Sequence, residues 1–133
     1  MGLVRYETGD RGALVVDPCA CGRTFPRLVG LAGRAADVVR LPDGRRLYWP
    51  WFHETFARLD DLERYQVIQE TRDRLRVRVA AGPGRYDDVA GRIRVAIATV
   101  APADLRVECE AWDGVHDPRE KFRPVVSRLP AEE

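Results

Sequence analysis

The segment LRVRVAAGPGRYDDVAGRIRVAIATV, residues 75–100, contains two different apolar patterns. Its first five residues alternate between apolar side chains and arginine, which is typical of a strand with one buried and one solvated face. The sequence AGPG at 81–84 then interrupts the strand. Over residues 86–100 the apolar side chains recur at helical spacing, which predicts an amphipathic helix. The stretch therefore predicts a strand followed by a helix that packs on a sheet.

The neighbouring segments extend this pattern. Residues 65–70 predict a strand that TRDR, residues 71–74, turns into the strand described above, and DLRVECEAW, residues 104–112, predicts another alternating strand. Upstream, the tripeptide PDG at 42–44 is a hairpin turn sequence, and residues 50–59 predict a helix with proline in its first turn. The chain therefore predicts an α+β fold, with helices packed on one side of a mainly antiparallel sheet.

The first quarter of the chain has a weaker pattern. Residues 3–7 and 13–16 predict two short strands joined by the polar turn TGDRG. Residues 17–34 predict an irregular surface loop, because prolines and glycines interrupt them repeatedly. We expect the two strands to expose unpaired edges and apolar side chains, so they predict self-association through this part of the chain.

Composition excludes several classes of protein. With 133 residues, of which 45% are hydrophobic, the chain can bury a normal core. A net charge of +1 leaves no electrostatic footprint for nucleic acid or a membrane surface, so neither is an expected partner. Three cysteines, an odd number, together with no signal peptide and no apolar run of spanning length, predict a cytoplasmic protein.

Lys121 is the only lysine of the chain, although lysine and arginine together number 22. It lies in DPREKFRPVVS, residues 117–127. Arginine presents a broad planar fork, whereas lysine presents a compact point charge on a flexible stem. A chain that uses arginine almost everywhere has therefore kept this ammonium either by chance or because one compact cation must reach an oxygen in a confined site.

Three segments, in this order, resemble the C-terminal end of the phenylacetate–CoA ligase branch of adenylate-forming enzymes. They are RYETGDRGALV at 5–15, CACGRTFPRLVGLAGRAADVVRL at 19–41 and EKFRPVVS at 120–127. In that family, ATP and a carboxylic acid give an acyl-adenylate and pyrophosphate, and coenzyme A then takes the acyl group. The resemblance implies that the complete enzyme uses ATP and coenzyme A.

The resemblance also implies roles for individual residues. Asp10, the last residue of a Thr-Gly-Asp motif, would accept hydrogen bonds from the ribose hydroxyls of ATP, although the same motif also makes a good turn. Arg34 would contact the nucleotide. Ala36 and Asp37 occupy the hinge position, and Ala36 replaces the aspartate that the family usually has there. Lys121 would enter the active site during adenylation and neutralise the charge that develops on the oxygens.

The resemblance is incomplete. Glu120 replaces the glycine that most relatives have before the lysine, and nothing resembles the phosphate loop, the acyl pocket or the adenine platform of the large N-terminal domain. Residues 1–33 would therefore end that adenylating domain as a short β-hairpin remnant, and residues 34–133 would form the mobile lid domain. The expected partner is an adenylating N-terminal domain or a separate adenylating protein. The alternative is a stand-alone, non-catalytic module that docks on a separate adenylating or carrier protein.

Cys19 and Cys21 are the candidate metal ligands. Some relatives carry Cys-x-Cys-Gly at this place, consistent with half of a structural zinc site that the N-terminal domain completes. Two cysteines supply two of the four ligands that tetrahedral zinc needs, and His53 and His116 are distant in sequence. We therefore expect free, exposed thiols and no zinc in this chain by itself.

Overall fold

The structure is a computed structural model that describes residues 10–34 and 38–130. The chain divides into two compact units, Met1–Ala36 and Asp37–Glu133. The division falls between the two residues predicted as a hinge. The predicted hinge residues Ala36 and Asp37 themselves, and the predicted strand at 3–7, lie outside the described residues.

The first unit contains an antiparallel pair of strands, β1 (Asp10–Val15) and β2 (Arg27–Arg34). Strand β1 begins inside the predicted turn, and the prediction of an irregular loop through residue 34 is wrong because its second half is β2. Glycines make this strand difficult to recognise in the sequence. The β1–β2 register shifts at Gly12, and Gly30 has φ +60°, a backbone conformation that favours glycine at a bulge.

The second unit begins with a hairpin of β3 (Val38–Arg40) and β4 (Arg46–Tyr48), as PDG predicts. The helices and remaining strands follow in the order α1 (Trp49–Phe56), β5 (Leu62–Thr71), β6 (Arg74–Ala81), α2 (Tyr86–Ala98), β7 (Arg106–Ala111) and β8 (Val125–Ser127). The predicted α+β class is confirmed. Within the described ranges, neither helix has the length and apolar character needed to cross a membrane.

The four-stranded sheet has the order β7-β6-β5-β8. Its central pair, β5 and β6, is antiparallel, while β7 and β8 run parallel to their neighbours. Strand β7 is parallel to β6 because α2 carries the chain back across the sheet, as a parallel pairing requires. Strand β8 has three residues and was not predicted. The sheet is therefore mixed, with one antiparallel and two parallel pairings.

Both helices pack on the same face of this sheet. The alternating apolar residues of β6 and the stripe of α2 meet as the sequence predicts. The fully buried cluster contains Val39, Leu41, Phe52, Phe56, Val67, Leu75, Val77, Val79, Val89, Ile93, Ile97 and Val125. Burial of these side chains is the main favourable contribution to folding of this unit.

The opposite face of the sheet carries ion pairs. Arg74 Nε lies 3.1 Å from Glu108 Oε1, and Arg78 Nε lies 2.8 Å from Glu110 Oε1. Arg76, between them, pairs with Glu70 on β5. The arginines that alternate along β6 are therefore matched by carboxylates of the neighbouring strands.

Gln69, on β5, is fully buried in spite of its polar side chain. Its amide bridges to β3: Oε1 accepts from the backbone N–H of Arg40 at 3.0 Å, and Nε2 donates to the Arg40 carbonyl at 2.7 Å. Ser127 Oγ also donates to Oε1, at 3.2 Å. One side chain thus supplies both halves of a strand-like pairing and joins the β3–β4 hairpin to the sheet.

Tyr65 provides a test of the packing between β5 and α1, because its ring meets that of Phe56 edge-on at 4.9 Å. Burial raises the pKa of Tyr65 to about 12. The neighbouring Trp49 side chain has a smaller, opposite effect, and the Tyr65 hydroxyl forms no hydrogen bond within the described residues. The unfolded chain loses the phenol proton near its ordinary pKa of 10.0. Stability should therefore be unaffected by Tyr65 below that pH and fall as pH rises from there towards 12.

The measurement is denaturant unfolding across this alkaline range, with phenolate absorbance recorded in parallel. Tyr65→Phe is the control, since it should flatten the loss of stability. Burial also raises the pKa of Tyr86, so only the difference between the two proteins reports on Tyr65. An identical pH dependence in both proteins would show that the Tyr65 phenol is not held in an apolar site.

Candidate functional site

Lys121 lies in the segment that connects β7 to β8, which we call the lysine loop, residues 112–124. Its side chain is exposed, and it forms no ion pair with any residue of the described part of the chain. The ammonium is therefore available to a partner that arrives from outside the unit.

Both ends of the lysine loop are fixed to the two central strands. The backbone N–H of Trp112 donates to the Val79 carbonyl at 2.9 Å, and that of Val67 donates to the Pro124 carbonyl at 2.8 Å. Beside the second contact, Gln66 Nε2 donates to the carbonyl of Arg123 at 3.0 Å. The start of the loop is thus anchored on β6 and its end on β5.

Between its ends, the loop is held by aromatic side chains. The rings of Trp112 and Phe122 are stacked, with centroids 6.0 Å apart and planes inclined by 16°. His116 lies against the same Phe122 ring, at 5.2 Å. Two residues that are ten positions apart in the sequence therefore close the base of the loop.

Two arginines of the sheet contact these rings. The guanidinium of Arg64 lies 5.4 Å from the centre of Phe122, and that of Arg78 lies 5.7 Å from the centre of Trp112. Both distances are typical of cation–π contacts. Arg64 Nη1 also donates to the carbonyl of Gly114, at 2.6 Å, which ties a further point of the loop to β5.

Sequence reasoning found Lys121 but missed the residues that hold its loop. The available signals were an aromatic residue directly after the lysine and a tryptophan at the end of an alternating strand. Neither signal says that the two rings meet, because that contact depends on where the loop returns to the sheet.

Asp10 and Arg34, the residues that the family resemblance assigns to the nucleotide, are directly opposite each other in the β1–β2 register. The sequence separates them by more than twenty positions, and the hairpin brings their backbones together. Lys121 belongs to the other unit. The three assigned roles remain predictions.

The two thiols of the Cys-Ala-Cys sequence lie close together, with Cys21 Sγ 3.1 Å from Cys19 Sγ. The Cys19 thiol, followed by the backbone N–H of Arg23, lowers the pKa of Cys21. Both thiols are free. Within residues 10–34 and 38–130, no group of three or more candidate ligands is placed to hold a metal ion, so zinc would need further ligands from elsewhere.

Comparison with known proteins gives structural matches only. No protein-family model and no curated protein sequence matches the chain. An open conformation of 2-hydroxyisobutyryl-CoA ligase, in complex with 2-HIB-AMP and CoA, matches 89% of this chain with a TM-score of 0.52 and 23% identity. Two structures of that ligase in the postadenylation state, with R3-HIB-AMP and with 2-HIB-AMP, match 90% of this chain with TM-scores of 0.52 and 0.51 and 20% identity.

In each comparison the matched region covers 27% of the ligase chain. At this level of identity the likeness concerns the fold, since one fold can serve unrelated functions. The chain therefore shares the fold of about a quarter of a CoA ligase.

Proposed function

We propose that the chain is the lid portion of an ATP-dependent acyl- or aryl-CoA ligase of the phenylacetate–CoA ligase type. The observation that carries the proposal is the fold match, which extends over nine-tenths of the chain to a ligase solved with 2-HIB-AMP and CoA. The ordered motifs around Asp10, Arg34 and Lys121 support it. In this proposal the chain acts together with an adenylating domain and is inactive alone.

The reaction has two steps. In the first, a carboxylate oxygen of the substrate acid attacks the α-phosphorus of ATP, and the bond to pyrophosphate breaks. In the second, the thiolate of coenzyme A attacks the acyl carbon, and the bond to AMP breaks. Negative charge builds up on the phosphoryl oxygens in the first step, where a positioned cation gives the largest benefit.

Lys121 is the cation for the first step. Its compact ammonium can lie between two oxygens, a position that the wider guanidinium of arginine does not fit. Asp10 would accept the ribose hydroxyls, and Arg34, its cross-strand neighbour, would contact the nucleotide. The segment at Ala36 and Asp37 would allow the lid to rotate between the two steps.

A second candidate function is a non-catalytic module that docks on a separate adenylating or carrier protein. The first unit favours it by exposing large apolar side chains, namely Leu14, Val16, Phe25, Leu28 and Leu31. Exposed apolar patches of this kind are typical of protein contacts. Of these side chains, Leu14 and Val16 belong to the strand at 13–16, one of the two from which self-association is predicted, and that prediction remains untested.

The test is pyrophosphate release with a panel of aryl and alkyl acids. The chain alone should release none above background, because adenylation needs a phosphate loop and an acyl pocket in addition to a cation. An adenylating domain deprived of its own lid should gain adenylation activity when this chain is added. Robust turnover by the chain alone would contradict the proposal, and binding to the lidless domain without any gain in activity would favour the docking module.

A further inference from the structure

The lysine loop is attached to the solvated face of the sheet by a continuous set of contacts. Arg64 lies over Phe122, Phe122 stacks with Trp112, and Arg78 lies over Trp112. We call these four residues the cation–ring cluster. Phe122 directly follows Lys121, so the ring contact of the cluster lies one peptide bond from the backbone of Lys121.

We infer that the cation–ring cluster positions Lys121, with Arg64, Trp112 and Phe122 as positioning residues. They act through the backbone of the loop, since Lys121 itself is exposed. The consequence for adenylation rests on the proposed function, whereas the effect on the loop itself does not.

The physical reason is conformational entropy. A lysine on a free surface loop samples many positions, and each catalytic encounter would first have to order the loop. With its ring packed between neighbours, Phe122 restricts the backbone next to Lys121. Arg64 restricts a second point through its hydrogen bond to Gly114. A catalytic charge must be held within a fraction of an ångström, which needs supporting contacts of this kind.

The single lysine makes the inference unusually direct to test. A lysine-specific endoproteinase can cut this chain at one bond only, between Lys121 and Phe122. A protease needs an extended segment, so the bond becomes accessible only when the cluster opens locally. Where opening and closing are fast compared with cleavage, the cleavage rate reports the population of the open loop.

Arg64→Met and Trp112→Ala should each raise the cleavage rate about tenfold or more, and neither changes the residues at the cut bond. Trp112→Phe keeps a ring in place but loses the hydrogen bond from Trp112 Nε1 to the Val115 carbonyl, so it should be cleaved more slowly than Trp112→Ala. Arg58→Met, another exposed arginine, is the matched control and should leave the rate unchanged. Rates are divided by those of the denatured proteins, and circular dichroism shows that each variant remains folded.

A spectroscopic readout keeps the test valid if Trp112→Ala does not fold. Isotope-labelled lysine gives a single side-chain NMR signal in this chain, and in Arg64→Met it should narrow and move towards the position of a free lysine. Wild-type cleavage as fast as in the denatured chain, or unchanged cleavage in Arg64→Met and Trp112→Ala, would overturn the inference. If cleavage rises in these variants but adenylation by a reconstituted ligase does not fall, the positioning is real and the proposed function is wrong.

Discussion

Replacing Lys121 with alanine or arginine should lower acyl-adenylate formation by about a hundredfold or more, the usual scale for one oriented charge at a reacting centre. Arginine should not rescue the reaction, because its planar fork does not fit where one ammonium lies between two oxygens. The assay is pyrophosphate release by a ligase reconstituted from this chain and an adenylating domain.

The second half-reaction distinguishes a catalytic role from general damage. The rate of thioester formation from a supplied acyl-adenylate should fall much less, because the proposed rotation of the lid carries the lysine loop away from the acyl carbon. Arg119→Ala is the matched control: this cation lies in the same loop, and its side chain is 91% exposed. It should leave both half-reactions unchanged.

The free energy of unfolding of both Lys121 variants should lie within about 0.5 kcal/mol of that of the original chain, as is usual for exposed positions without a special structural role. If Lys121→Arg unfolds the domain, the lysine is structural. If both half-reactions continue at normal rates in both variants, the single lysine is an accident of composition, and the docking module becomes the better explanation.

Replacing Gln69 with leucine should lower the free energy of unfolding by about 3 kcal/mol. Leucine fits the apolar surroundings, but it leaves the N–H and carbonyl of Arg40 without their partner. Buried polar groups that lose a hydrogen bond cost more than the bond itself contributed. Denaturant unfolding measures the change.

Two further variants show whether the amide bridge is the cause. Gln66→Leu also removes a glutamine from β5, but its side chain is only half-buried and holds the carbonyl of Arg123, so the loss should stay within about 1 kcal/mol. Gln69→Glu keeps the acceptor and loses the donor. Its buried carboxyl must hold a proton to face the Arg40 carbonyl, so this variant should be more stable at acidic than at neutral pH. Equal stability of Gln69→Leu and the original chain would show that the bridge contributes nothing.

The elements that were predicted well are those with a complete local period. Strand β6 and helix α2 each show their apolar pattern over several repeats, and the turn at 42–44 needs only its own three residues. Strand β2 was missed because glycine appears at Gly30 and Gly33, where the bulged strand tolerates it but no propensity rule expects it. Strand β8 was missed because three residues carry no period, and only pairing with β5 makes them a strand.

The candidate site divides in the same way. Lys121 is recognisable in the sequence as the one ammonium among arginines, and the ordered motifs point to Asp10 and Arg34. The stacking of Trp112 on Phe122, the contact of Arg64 with Phe122 and the pairing of Asp10 opposite Arg34 became visible in the folded chain alone. The physical reason is that periodicity and turn chemistry are local, whereas these contacts depend on strand order and register, which are set by the burial of the whole core.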